Sequence, residues 1–472
     1  MSPDPRRWWA LAVLATAQFM VIMDTSIIGV ALPEMQRDLG FSQGGLQWVF
    51  NAYVVALGGL LLLGGKLSDI LGARRVFAAG WVVLIGGSIV AAAAGNAGTE
   101  IAGRAIQGVG SALIAPAAMT LLMVLFSGQP KEMAKALAFY GAAAPAGGTA
   151  GVFLGGVITE WLSWPWVFII YIPIGLLTLA LVPAVLPSVP GRRTGLDVFG
   201  ALAVTGGLAL AVYAIVQAPE RGWGSAATLL QLAGAAVLLV VFVGLQRLVR
   251  NPLMPLSVWR TPNLAAANVA MTLLGAAWIP MWYFLNLYLQ QVLGYGAFPS
   301  GAALVPMTAL MMLLMVGITG RLIGRYGTKP LIVTGLVVLA AGLGILSTVS
   351  PGGSFVTDVL PGSLISAVGM ALVFIPATMA AIGAVAPEQG GLASGIVNTT
   401  YQIGSAIGLA VMTAIATSNG ADKLGNLPSL TNGFQAAFIG AAIVALAGAG
   451  LALATMRTPK PVPAPVREPI DA

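Results

Sequence analysis

Long apolar runs alternate with short polar breaks along the whole chain, and the breaks carry glycine, proline and paired basic residues. A run of about 20 apolar residues crosses a bilayer as a helix. By that measure the pattern predicts spans near 9 to 33, 47 to 66, 75 to 95, 100 to 126, 134 to 160 and 164 to 187. It continues through 196 to 218, 225 to 247, 263 to 290, 298 to 323, 329 to 349, 356 to 383, 389 to 417 and 433 to 456, fourteen spans in all. The longer breaks fall near 187 to 196, 248 to 262 and 418 to 432, and none is expected to hold a soluble domain. Arg6 and Arg7 followed by an apolar run with Ala15-Thr16-Ala17 look like a secretion signal and cleavage site. Apolar character continues to Val30 and Leu32, so an uncleaved first span is expected.

The second polar break repeats. GKLSDILGARR, Gly65 to Arg75, follows span 2, and a degraded copy, GRLIGRYGTK, Gly320 to Lys329, follows span 10. Gly65, Lys66 and Leu67 match Gly320, Arg321 and Leu322, while Gly72 and Arg74 match Gly327 and Lys329 at the same offset. An internal repeat of this kind marks two bundles of related design. Because the copies are eight spans apart and not six, two additional spans lie between the halves. The expectation is an all-α polytopic membrane protein: a six-helix bundle over 1–187, two additional central spans within 188–262, a second six-helix bundle over 263–456 and a cytoplasmic tail over 457–472. Each repeat copy reads as a tight loop at a membrane face, its charges among headgroups and water.

Composition sharpens this picture mainly by exclusion. Of 472 residues, 58% are hydrophobic and 8% charged, and there is no cysteine or histidine. Disulfide scaffolds, Cys/His zinc sites and Ser-His nucleophile pairs are therefore absent. The net charge of +7 is dispersed as basic pairs between apolar runs, without the basic-aromatic patch of a nucleic-acid binder. With the N-terminus cytoplasmic, 18 of the 22 basic residues fall on the cytoplasmic side, including Arg192, Arg193, Lys460 and Arg467. Arg37, Arg221 and Lys423 fall on the other side and Arg104 within a span, which places both termini in the cytoplasm. Arginine-rich, alanine- and glycine-rich usage points to a bacterial genome. No Walker A sequence occurs, so the energy source is an ion gradient or there is none, and no cofactor is expected.

Asp24 and Arg104 are the clearest ionisable residues inside spans, with Glu34 and Glu100 at outer ends. A charge near the bilayer centre costs about 2.5 to 3.5 kcal/mol on insertion scales, so it is paired, solvated or functional. From the helical rise, Asp24 lies about 13 Å below the outer end of its span and Arg104 about 6 Å below that of its own. A long arginine side chain bridges that difference if the spans are neighbours. Two readings stand: a static ion pair that sets packing, or a proton site where proton and substrate compete for one carboxylate.

Gly147, Gly151 and Gly155 share one face of span 5, with Gly148 and Gly156 beside them. Gly391, Gly395, Gly404 and Gly408 give span 13 similar stripes. Such stripes allow close static packing or a moving contact, and matching stripes in the two halves suit bundles that rock around a central site. Candidate cavity residues are Trp278, Trp282, Tyr283 and Asn286 on span 9, near Gln290, with Gln18, Asn51, Tyr53, Gln107, Asn398 and Gln402 elsewhere. A mostly apolar cavity with few charges suits a lipophilic, neutral or singly cationic solute.

The chain resembles the major facilitator superfamily, and within it the fourteen-span drug:proton antiporters that include multidrug and quaternary-ammonium exporters. GKLSDILGARR is similar to that family's loop signature after span 2, MDTSIIGVALP from Met23 to the span 1 signature, and IAGRAIQGVGSA from Ile101 to the span 4 signature. GGTAGVFLGG from Gly147 resembles the antiporter signature, with Val152 where the pattern usually has proline. YLQQVLGYGAFPSG from Tyr288 and GLASGIVNTTYQIGSAIG from Gly391 extend the resemblance over nearly the whole chain. It implies a major-facilitator fold in a bacterial inner membrane, with Asp24 carrying protons and Arg104 modulating them. It also implies that Asp69, Arg74 and Arg75 latch the two bundles on the cytoplasmic side. Asp69 has Gly324 as its counterpart, so only one copy offers an acid. The expected activity is proton-coupled export of amphipathic small molecules by a monomer, with the bilayer and protons as its other partners. A dedicated exporter of one metabolite or antibiotic, or an uptake symporter, is the alternative.

Overall fold

In lipid a backbone must satisfy its own hydrogen bonds, so apolar runs of this length fold as helices. The computed structural model describes residues 6–457 except 42, 127–129, 189, 192–194, 196, 251, 255, 262, 384, 386–389 and 424. Arg192, Arg193, Lys460, Arg467 and the rest of the tail beyond Arg457 lie outside the described residues. Fourteen helices are long and apolar enough to cross a membrane. In the first half they are α1 (Arg7–Leu39), α2 (Gln43–Leu71), α3 (Ala73–Ala92), α4 (Ala97–Phe126), α5 (Pro130–Trp161) and α6 (Trp166–Val185). The middle pair is α7 (Val198–Arg221) and α8 (Ala226–Leu248). The second half holds α9 (Leu264–Val292), α10 (Phe298–Tyr326), α11 (Thr328–Leu346), α12 (Phe355–Ile382), α13 (Gly390–Ala416) and α14 (Leu427–Thr455).

Each predicted span corresponds to one helix, and the largest differences are at ends set by caps. Asn426 accepts a hydrogen bond from Ser429 N at 3.1 Å and Pro428 sits in the first turn, so α14 starts at Leu427, not 433. The expected 418–432 loop is correspondingly short. The repeated segments are helix ends and not loops: Gly65–Leu71 completes α2 and Gly320–Tyr326 completes α10. The chain turns at single glycines, Gly72 with φ 92° and Gly327 with φ 79°. Only a residue without Cβ adopts that backbone readily.

The shift of eight seen in the repeat reappears in packing. Helix α1 packs on α5, α3 on α4, and α2 on α4; eight spans later α9 packs on α13, α11 on α12, and α10 on α12. Each half has its own apolar core, one around Trp81, Phe77 and Phe126, the other around Phe284, Phe434 and Phe438. The halves meet through α5 against α10 and α2 against α13. Helix α7 leans on α2 and α13, with Thr205 Oγ1 donating to Gly59 O at 2.9 Å, and α8 pairs with α7 at the periphery. Asp197 caps α7 through Gly200 N at 2.7 Å and accepts from Gln246 Nε2 of α8 at 2.7 Å.

Candidate functional site

Helix α4 carries Glu100, Arg104, Gln107 and Ser111 at i, i+4, i+7 and i+11, which one helical face presents together. That face is turned into the first bundle, and all four side chains are fully buried. Arg104 Nη1 lies 2.6 Å from Asp24 Oδ2 of α1, also fully buried. Arg104 Nε donates to Val49 O at 2.8 Å and Nη1 to Gln107 Oε1 at 2.7 Å. Gln107 Nε2 donates in turn to Ser88 Oγ of α3 at 2.9 Å. The guanidinium lies over the Tyr53 ring at 4.6 Å and the Phe168 ring at 5.9 Å. The Tyr53 hydroxyl is 2.9 Å from both Val21 O and Ser111 Oγ. Five helices thus enclose one ion pair, and the long arginine closes the offset in depth expected between the two spans.

The network is not saturated. Asp24 Oδ1, Arg104 Nη2 and both oxygens of Glu100 are buried without a hydrogen-bond partner. The Tyr171 hydroxyl stands beside Asp24 as a further donor toward its carboxylate. Buried unpaired polar atoms are costly and uncommon, so the cluster stands apart from the saturated packing around it. Glu100 is the residue that sequence reasoning placed at a span end and left without a role. Its spacing of four from Arg104 was the available signal.

The glycine stripe sets the depth of α1. A Cβ on Gly151 would stand 2.8 Å from Met23 O, and one on Gly155 2.8 Å from Ile27 O; Gly147 faces Phe19 O. Gly156 is buried beside them and Gly148 faces Trp282 across the bundle interface. Gly404 and Gly408 do the same against Thr272 and Ala276 of α9. These positions therefore pack helices inside a bundle, while Gly395 faces Leu62 of the other half. Close backbone approach at the positions inside a bundle fixes α5 on α1 and α13 on α9, as the static-packing reading of the stripes expects.

The cavity residues separate into groups. Tyr53 and Gln107 belong to the buried ion-pair network, and Trp278, 5% exposed, belongs to the second core. Gln18 accepts from Tyr140 OH at 3.0 Å between α1 and α5. Asn51 is buried on α2, Tyr283 stands 38% exposed against Phe284, and Asn398 is half-buried on α13. Trp282, Asn286 and Gln402 reach the bundle interface, facing Gly148, Gly29 and Gly58. Thr149 and Thr308, which sequence reasoning missed, hydrogen-bond across the same interface. Val152 is buried and packs next to Gly301, while α5 keeps a proline at Pro145.

The repeat's basic residues also act within bundles. Arg74 Nη1 donates to Leu186 O at the end of α6 (3.2 Å), and Lys329 Nζ to Met456 O at the end of α14 (2.8 Å). A cation there satisfies orphan carbonyls and the negative end of the helix dipole. In this structure Arg74 is thus drawn to its own bundle and not across to the other, while Arg75 and Asp69 are exposed. Gly65 faces the Pro116 side chain.

A sequence model of the Major Facilitator Superfamily matches residues 14–409 and 318–471. The cephamycin export protein CmcT of Amycolatopsis lactamdurans is 38% identical over 442 residues, covering 93% of this chain and 90% of its own. The puromycin resistance protein pur8 of Streptomyces alboniger is 37% identical over 421 residues, covering 88% and 83%. The solved human organic anion transporter MFSD10 superposes with TM-score 0.67 at 17% identity, covering 95% of this chain and 100% of its own, a likeness of fold.

Proposed function

The chain belongs to the Major Facilitator Superfamily, and from that premise we propose that it exports lipophilic, often cationic small molecules in exchange for protons by alternating access. The observation that carries this reading is the fully buried Asp24–Arg104 pair at 2.6 Å, left with unpartnered donor and acceptor atoms. A saturated pair would be a packing device; an unsaturated one can trade a proton for a change of partner. The bundle interface around Trp282, Asn286, Gln402, Thr149 and Thr308 offers rings, amides and hydroxyls to an amphipathic cargo. The proton gradient is the energy source and no cofactor is required. Placement of 18 of 22 basic residues on one side supports a bacterial inner membrane with both termini cytoplasmic, and the self-contained bundles support a monomer. Export of one dedicated antibiotic is the second reading, favoured by the likeness to CmcT and pur8.

Everted membrane vesicles acidified in the lumen test this, with a pH-sensing dye and a panel of lipophilic cations, neutral drugs and antibiotics. Proton efflux on adding a compound to wild type, abolished by Asp24→Asn at matched expression, is the expected result. An Asp24→Asn response equal to wild type would make the pair structural and overturn the proposal. A response to one antibiotic alone selects the dedicated exporter.

A further inference from the structure

The cluster holds two acids and one base: Asp24, Glu100 and Arg104, all fully buried. With both acids ionised it would carry an uncompensated negative charge out of reach of water, a state that proteins avoid by pairing or protonation. One proton neutralises it. Asp24 Oδ2 already holds Arg104 Nη1, whereas neither Glu100 oxygen has a hydrogen-bond partner, so in this arrangement the proton belongs on Glu100. Arg104 lies one helical turn away on the same face of α4, close enough for the two side chains to meet. The remaining unpartnered atoms match an exchange: Arg104 Nη2 is a spare donor and Asp24 Oδ1 a spare acceptor.

We propose that Glu100 is a second proton carrier, sharing one proton with Asp24 while the Arg104 guanidinium follows whichever carboxylate is ionised. This rests on the proton-coupled reading and adds a carrier to the same site. In the transfer the O–H bond of Glu100 breaks, an O–H bond forms on Asp24, and the ion pair passes from Asp24 to Glu100. The total charge stays at zero throughout. The groups around the two acids are Arg104 on α4, Tyr53 on α2 and Tyr171 on α6, of which only Arg104 is charged. Glu100 sits about 6 Å nearer than Arg104 to the face opposite the termini. By the same measure it lies between that face and Asp24.

Infrared spectroscopy of the purified, reconstituted protein tests this through the carbonyl stretch of a buried protonated carboxyl. Wild type is expected to show the band at neutral pH. Glu100→Gln removes it, and Glu100→Asp restores it. Asp24→Asn also removes it, because Glu100 then ionises and takes Arg104. Persistence of the band in Asp24→Asn would show that no proton is shared, and its absence from wild type would show that Glu100 holds none; either overturns the proposal. The Asp24→Asn arm decides alone if Glu100→Gln does not assemble. The spectra need neither cargo nor gradient. Failure of the vesicle assay with the expected spectra therefore removes the export reading, and the reverse removes only the role of Glu100.

Discussion

In the first bundle α1 and α4 bury Asp24, Glu100 and Arg104; in the second, α9 and α12 occupy the same places and bury Asn268, Ser363 and Ser366, with no buried charge among the described residues. Packing does not share this asymmetry. Glycines seat α5 on α1 and α13 on α9, and a basic residue in each repeat copy closes the end of α6 or α14. The second half adds π turns at Tyr288–Val292, Met315–Thr319 and Phe355–Val359, local irregularities often found at functional sites. Duplication supplied a scaffold whose contacts repeat, while titratable chemistry sits in one copy and polar, uncharged side chains in the other.

The sharpest way to break this comparison is to remove the charge. Arg104→Ala strands buried acids and should cost about 3 to 5 kcal/mol, read as loss of monodisperse protein in detergent. Asp24→Asn combined with Arg104→Ala should recover part of it. Asn268→Ala in the second half removes a neutral partner of Thr400 and Leu264 and should cost only about 1 kcal/mol. Equal losses for Arg104→Ala and Asn268→Ala would erase the asymmetry.

The shared scaffold predicts matched effects. Gly151→Val drives a side chain into Met23 and Ser26, and Gly408→Val does so into Ala276. Each should cost about 1 to 3 kcal/mol or more by overpacking, seen as similar drops in melting temperature. The smallest effect is at the helix ends, where Arg74→Ala and Lys329→Ala should each cost about 0.3 to 1 kcal/mol. A large loss from Arg74→Ala alone, measured by thermal shift, would reveal a role for that residue that its counterpart lacks.

Much of the fold was legible because a bilayer imposes one length scale and one secondary structure. The repeat separated a shift of eight from a shift of six, and the two middle helices followed. The Asp24–Arg104 pair was legible as well, since helical rise converts position into depth. Glu100 was not, because a residue near a span end reads as solvated until the folded bundle buries it. Asn426 and Pro428 carried a readable start signal for α14 that apolar counting overlooked.

The sequence by itself determined which segments cross the membrane, which ends carry positive charge, and which acid and base stand deepest. Each depends on local composition and on distance along a helix axis. Only the tertiary structure decided which neighbour each face meets: that Gly147, Gly151 and Gly155 face α1 within their own bundle, that Arg74 reaches Leu186, and that Tyr53 and Gln107 serve the ion pair and not the interface. Rotation of a helix about its axis is set by all the surfaces packed against it at once, and no single stretch of sequence contains them.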